Sequence, residues 1–288
     1  GWGLPTSAEA RACADVSAVL AYYSEFKDRA DKLDFEVDGL VAKVDSRQEQ
    51  RVLGATAKSP RWAMALKYPG RQATTTLDGV DYSVGRTGTV TPVAKVKPVF
   101  LSGVTISSVS LHNFEEVERL DARIGDTVVI ERAGEVIPKV VAVVAEKRPP
   151  GAKPILPPKA CPVCGGDVQK EEDAVAVRCV NPSCPAQLKR KLLHFASRDG
   201  LDVEGFGDAV VDQLVDSARV KDLAAVFDLE AADLLKLELF AEKKAENLLK
   251  GIASAKGRPL SRVLYALGIP QVGEKTARDL AAKFRTMA

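Results

Sequence analysis

Four of the five cysteines fall together, as Cys161-Pro162-Val163-Cys164-Gly165-Gly166, then Cys179, then Cys184-Pro185. The spacing is C-x2-C-x14-C-x4-C. Two knuckles of two sulfurs each are how a chain closes a tetrahedral thiolate shell around one metal ion. The glycine after Cys164 permits the turn that aims backbone N–H groups at sulfur. Zinc is the expected occupant, with iron the minor alternative and disulfides the competing reading. The chain shows no secretion signal, which favours metal. With no fifth ligand and no histidine in the knuckles, the site is expected to be closed and structural. Lys159, Lys170, Arg178, Lys189, Arg190 and Lys191 lie near it in sequence. They either offset the negative charge of a zinc–thiolate shell or meet an external anion. Cys13 stands alone in an Ala-rich stretch and is expected to be a small buried hydrophobe in a helix.

Net charge alone hides a distribution. The 288 residues carry 41 basic and 39 acidic side chains, a net of +2. Residues 151–199 hold 8 basic against 5 acidic, and the other segments are nearly balanced. The positive excess therefore sits around the cysteines and implies one local anionic contact zone. A 46% hydrophobic and 28% charged composition is globular and excludes a disordered or collagen-like chain. The longest apolar run, residues 140–145, is far short of the roughly 20 residues of a membrane span. The opening Gly1-Trp2-Gly3-Leu4-Pro5 has neither a basic leader nor an apolar core and lacks Met, so the chain is expected to begin inside a longer one.

Periodicity predicts a helix over 7–30 capped by Ser7, then strand–turn–strand over 31–45 with Asp38-Gly39 as the turn. A short helix near 47–53 and a break at Ser59-Pro60 follow. Strands are expected at 73–84, 88–96, 98–110, 126–132 and 137–146, with one helix near 113–120. Five strands with a helix between the third and fourth is the element order of an OB-type barrel. Prolines from 149 to 158 make a stiff linker, and 186–288 reads as helical. The expected domains are 1–70, 71–150, 151–196 and 197–288.

The helical part repeats. Gly205-Phe206-Gly207-Asp208-Ala209-Val210-Val211 aligns with Leu239-Phe240-Ala241-Glu242-Lys243-Lys244-Ala245 and with Gln271-Val272-Gly273-Glu274-Lys275-Thr276-Ala277, at offsets of 34 and 32 residues. Each unit is a turn with an apolar centre, an acid at the next helix start, then an apolar helix. The pattern resembles the helix–hairpin–helix family, whose turn and following helix N-terminus present free N–H groups to a phosphate without reading a base. The first unit keeps both glycines of the family's Gly–apolar–Gly turn, the third keeps Gly273, and the second keeps neither. Gly205, Gly207 and Gly273 are the expected DNA contacts, and the second unit is expected to be a packing element. Ordinary αα-hairpins are the alternative for all three.

Two lysines carry the chemistry. In Asp38-Gly39-Leu40-Val41-Ala42-Lys43, strand alternation places Val41 and Lys43 on one face. Lys43 either is buried against a phosphate or points to water from a barrel exterior. Lys67 falls within Trp62-Ala63-Met64-Ala65-Leu66-Lys67-Tyr68-Pro69, with the same alternation. Two such lysines suggest one anionic ligand between two strands.

These two segments resemble the last two nucleotide-binding motifs of bacterial NAD-dependent DNA ligases. Val84-Gly85-Arg86-Thr87-Gly88-Thr89-Val90-Thr91-Pro92-Val93-Ala94 resembles that family's OB signature. Leu111-His112-Asn113 and Arg132-Ala133-Gly134-Glu135-Val136-Ile137-Pro138 match further OB segments, and the cysteines and hairpins follow in the family's order. The resemblance implies a multidomain α+β fold: a partial nucleotidyltransferase domain, an OB-fold β-barrel, a small zinc finger and an all-α helix–hairpin–helix domain. It implies nick sealing in replication and repair, through a lysyl-AMP and a DNA-adenylate. NAD, Mg²⁺ and Zn²⁺ are the implied cofactors. The implied partner is nicked duplex DNA, met by a monomer in the bacterial cytoplasm and at the nucleoid, with no membrane involved. By matching position, Lys43 and Lys67 would contact the α-phosphate of NAD, and Asp38 would orient a lysine or the metal. Arg86 and His112 would touch the DNA backbone, His112 at most as a loop contact.

The family's nucleophilic Lys-x-Asp-Gly is absent; Lys43-Val44-Asp45-Ser46 is only a near miss. The family's N-terminal nicotinamide-recognising domain and BRCT domain are also missing, and three hairpins stand where the family has four. The resemblance therefore implies an internal part of the enzyme that does not adenylate itself. A non-enzymatic repair module of OB, zinc and hairpin parts explains 71–288 equally well but leaves Asp38, Lys43 and Lys67 without a role. A zinc-ribbon protein–protein adaptor is a third reading and predicts no nucleic-acid affinity.

Overall fold

The computed structural model describes residues 3, 6–56, 58–132, 137–170 and 175–287. Helix α1 (Val16–Lys27) starts at Asp15, whose carboxylate accepts the Ala18 N–H at 2.8 Å. This corrects the expected start at Ser7. Ser7 closes a local turn instead, its hydroxyl accepting from the Glu9 N–H at 3.2 Å. Cys13 is half-buried ahead of the helix rather than within it. Strand β1 (Gly39–Lys43), helix α2 (Arg47–Leu53, capped by Ser46) and strand β2 (Ala63–Lys67) follow.

β1 and β2 pair antiparallel, with Gly39 opposite Lys67 and Lys43 opposite Ala63. Asp38-Gly39 is therefore not a hairpin turn, as alternation suggested, but the entry to β1. Gly39 is required by close approach, because a Cβ there would overlap the Leu66 carbonyl oxygen across the ladder.

Strands β3 (Arg71–Val84), β4 (Val90–Leu101) and β5 (Val104–Ser110) lead to helix α3 (Phe114–Leu120). β6 (Arg123–Ile124), β7 (Thr127–Arg132), β8 (Lys139–Val143) and β9 (Lys153–Pro154) complete this part. Five strands close a barrel in the order β3-β4-β5-β8-β7, with β3 pairing back to β7 and β5 meeting β8 in parallel. This is the OB arrangement, with the helix between the third and fourth barrel strands. Inward positions alternate along the strands, and Leu77, Ala94, Ile106, Val128 and Ile130 are buried. A polar clamp fastens the segment around β6. Asp126 is fully buried and accepts the Arg123 N–H at 2.8 Å and Arg148 Nε at 2.8 Å, while Arg148 also reaches Asp121 at 2.6 Å. Residues 133–136 of the second OB match lie outside the described residues, as do Gly1, Trp2, Leu4 and Pro5.

The cysteine module contains β10 (Val168–Lys170) and β11 (Val177–Cys179), followed by helix α4 (Pro185–Ala196). Helices α5 (Asp208–Asp216), α6 (Ala231–Leu234), α7 (Glu242–Ala255), α8 (Leu260–Ala266) and α9 (Glu274–Phe284) form the rest. Their core holds Leu192, Val211, Leu214, Leu234 and Leu248.

Two compact units divide the chain. One comprises Gly1–Gly79, Ala94–Ser110 and Leu120–Pro154; the other comprises Val80–Val93, Leu111–Arg119 and Ile155–Ala288. The tip of the β3–β4 ribbon thus groups with the cysteines and helices.

Candidate functional site

The cysteines converge. Their four sulfurs lie within 4.8 Å of one another, with Cys161–Cys184 at 4.0 Å and Cys164–Cys179 at 3.6 Å. A tetrahedral shell with Zn–S bonds of about 2.3 Å has sulfur–sulfur edges of about 3.8 Å. These separations fit zinc and are far too long for disulfides at about 2.05 Å. The Gly166 N–H and the Asn181 side chain hold the Cys164 thiol down at about 6, whereas burial pushes Cys179 up to about 12 and raises Cys184 too. A divalent cation is what lets four such sulfurs ionise together.

The neighbouring cations are partly committed to carboxylates instead of to this charge. Lys170 pairs with Glu115, Lys189 with Asp212 and Asp216, and Arg190 with Asp208. The local positive excess is correspondingly smaller than the sequence count suggests.

The module reaches into the ribbon tip. Val84 and Val90 pack against Cys161, Cys179 and Cys184. The Cys179 N–H donates to the Gly88 carbonyl at 2.8 Å, and a Cβ at Gly88 would overlap the Cys179 carbonyl oxygen. Arg86 is therefore held on a turn whose conformation the cysteine module sets. It is neither an exposed hairpin side chain nor free of protein partners: half-buried, it donates Nη1 to the Gly268 carbonyl at 2.8 Å. His112 is exposed with a left-handed φ of 62°, between buried Leu111 and Asn113, whose side chain caps α3 by accepting the Glu116 N–H at 2.8 Å.

The three hairpins share one backbone design. The first turn residue is left-handed in each: Gly205 at φ 84°, Leu239 at 58° and Gln271 at 65°. The residue two further on, Gly207, Ala241 or Gly273, is the extended N-cap of α5, α7 or α9, with no side-chain capping bond in any. The first two amides of each helix are thus left for an outside acceptor, whereas the Val210 and Lys244 N–H groups already donate to the Gly207 and Ala241 carbonyls. A Cβ at Gly207 or Gly273 would meet nothing within 4 Å. Protein packing does not demand glycine there; a bare backbone leaves room for a ligand to approach. The second unit, expected to be packing, has the same turn, and its tip Leu239 is 94% exposed. Its helix packs through Ala245, Leu248 and Ile252, and Phe240 of the turn lies partly buried against the same core, so this unit combines the turn with a packing role. Backbone geometry that tolerates Leu or Gln at a left-handed position is the signal that counting glycines misses.

In the β1–β2 ladder, Lys67 Nζ lies 2.6 Å from Asp38 Oδ2. Lys43 shares the Lys67 face at the ladder's other end, four strand steps or about 13 Å away along the backbone. Both lysines are exposed, so the buried option for Lys43 is not realised. Between them, exposed Val41 lies opposite exposed Ala65. The face offers cations at two ends of an apolar strip, a donor set suited to a ligand with a flat apolar part and a phosphate.

Comparison with known proteins agrees with this inventory. The NAD-dependent DNA ligase adenylation domain matches residues 1–71, the NAD-dependent DNA ligase OB-fold domain 74–152, and the NAD-dependent DNA ligase C4 zinc finger domain 160–186. A helix-hairpin-helix motif matches 262–288. A DNA ligase of Geobacter sulfurreducens is 50% identical over 283 residues, and one of Geobacter metallireducens 52%. One of Geotalea uraniireducens is 48% identical over 287 residues. These alignments cover 98–100% of this chain and 42–43% of the relatives, so the chain spans under half of their length. With three consecutive domains of one family in order and half the residues identical throughout, the chain belongs to the NAD-dependent DNA ligase family.

Proposed function

We propose that the chain serves NAD-dependent sealing of nicks in duplex DNA, in replication and repair. The observation that carries this reading is the β1–β2 face, with Lys67 paired to Asp38 at one end and Lys43 at the other. Bound NAD supplies the adenylyl group. Lys43 and Lys67 contact its α-phosphate and neutralise the charge that develops there. Asp38, through its pair with Lys67, sets where that ammonium points and would also help orient Mg²⁺. Zn²⁺ sits on Cys161, Cys164, Cys179 and Cys184 and holds the ribbon tip in shape. Gly205, Gly207 and Gly273, with His112, track the phosphate backbone of the duplex, independent of base sequence. The 288 residues contain no Lys-x-Asp-Gly, so this polypeptide alone does not take up AMP from NAD. We place the activity in the bacterial cytoplasm, on nucleoid DNA, with the chain acting as a monomer.

A non-enzymatic repair module would need the same OB, zinc and hairpin parts but gives Lys43 and Lys67 nothing to do. Two measurements test the proposal. Binding to a nicked duplex should be indifferent to sequence and fall steeply with salt; no affinity at low salt would instead favour a protein–protein adaptor. Mass spectrometry after incubation with NAD and Mg²⁺ should show no AMP adduct, and an adduct would overturn the assignment of the first step.

A further inference from the structure

Arg86 is bound to a residue 182 positions away, and the place it binds is specific. Gly268 follows the C-terminus of α8, with φ 64° and its N–H bonded to the Tyr265 carbonyl. A Cβ at Gly268 would overlap Arg86 Nη1, so the glycine makes room for the guanidinium. His194 Nε2 donates to the Tyr265 carbonyl at 2.8 Å, and its ring lies tilted against the Tyr265 ring, centroids 4.8 Å apart. Two side chains thus donate to carbonyls at and just beyond the end of one short helix, adding to the backbone bond from Gly268 at an end where a cation is favoured. Three residues beyond Gly268 is Gln271, the left-handed position of the third hairpin. The first hairpin has a glycine at that position; the third has a side chain that disfavours the conformation. An external hold is therefore needed more at the third.

We propose that Arg86 is a positioning residue for the third hairpin. Anchored by the cysteine module at Gly88, it fixes Gly268 and thereby the turn that presents Gly273 and the α9 amides. This deepens the DNA-binding reading above and rests on it. A single Nη1 bond to Gly268 leaves other guanidinium donors for a phosphate, so a purely direct contact is the competing account.

The test uses the zinc-loaded protein, Arg86→Ala, Arg86→Lys and Gly268→Ala. Hydrogen exchange is read at the hydrogen-bonded amides of Gly268, Val272 and Ala277, without DNA. Affinity for a nicked duplex is read against salt. Arg86→Ala should speed exchange at these three amides about five- to tenfold, as loss of one hydrogen bond predicts. Lysine, which can still donate to the carbonyl, should restore part of the protection. Affinity should fall with the slope of log K against log salt unchanged, and Arg86→Ala with Gly268→Ala together should cost no more than Gly268→Ala alone. Unchanged exchange, with the salt slope reduced by about 0.9, would mean a direct phosphate contact only and would overturn the proposal. If no variant, nor the parent, binds nicked DNA, the DNA-binding reading fails, and the exchange result still decides whether Arg86 holds the hairpin.

Discussion

Lys67 Nζ sits 2.6 Å from Asp38 Oδ2, on a strand face whose far end carries Lys43. Both partners of the pair are substantially exposed, so the pair contributes only about 0–1 kcal/mol to stability. Its worth should appear in ligand binding. Lys67→Met is expected to leave the melting temperature nearly unchanged while weakening binding of a 5′-adenylated nick roughly ten- to hundredfold, the range of a lost charge-assisted hydrogen bond. Parallel melting and binding curves check this.

Glycines in two places should behave oppositely. Gly39→Ala puts a methyl into the Leu66 carbonyl and should cost about 1–3 kcal/mol, seen as faster proteolysis around β1 and β2. Gly207→Ala and Gly273→Ala meet open space. Each should shift stability by no more than about 1 kcal/mol, since alanine's smaller entropy loss opposes its poorer helix capping. Both should nevertheless weaken duplex binding. Wild-type affinity in the double variant would remove these turns from the DNA contact.

Removing the metal should act on the ribbon tip first. Val84 and Val90 pack on three of the cysteines, and Gly88 is tied to Cys179. Chelation, or Cys179→Ser, is expected to raise hydrogen exchange across 84–90 while the strand amides of 127–132 stay protected. Uniform loss of protection would show that the metal supports the whole chain rather than the tip.

The clamp on β6 predicts a pH dependence. Hydrogen bonds from Arg148, then Arg123, hold the Asp121 carboxyl below its usual 3.8. A depressed carboxylate contributes stability above its unfolded value and loses it as pH falls through the folded one. The contribution should be constant from about pH 5 upward and disappear only in acid below the usual carboxylate range. Arg148→Met removes the larger of the two holds on Asp121, so it should lower the melting temperature more at about pH 7 than in acid below the usual carboxylate range. An equal drop at both would assign the effect to packing.

Elements with their own local signals were legible in the sequence. The α2 helix appeared at its observed bounds because Ser46 and the flanking turn residues mark both ends. The barrel order was readable because strand alternation and the position of α3 admit few topologies. The four-cysteine shell was legible from its spacing, while the distances between the sulfurs are what set disulfides aside. Residues 7–15 misled because Ala-rich composition favours a helix, while Asp15, not Ser7, supplies the cap. Asp38-Gly39 misled because the pair signals a turn, yet the glycine answers a contact with Leu66, on the neighbouring strand. The sequence put Lys43, Lys67 and Asp38 on the page, but not that Asp38 pairs with Lys67 while Lys43 lies at the opposite end. Arg86 and Gly268 carry no local mark of one another, since only the tertiary fold brings them within hydrogen-bonding distance.

Central to all of this is that the chain bears ligase surface as well as generic DNA-binding parts. Binding to three duplexes, intact, nicked, and nicked with a 5′-adenylated phosphate, tests it most directly. The expected result is at least about tenfold preference for the adenylated nick, abolished by Lys43→Ala or Lys67→Ala. Equal affinity for all three duplexes would contradict it.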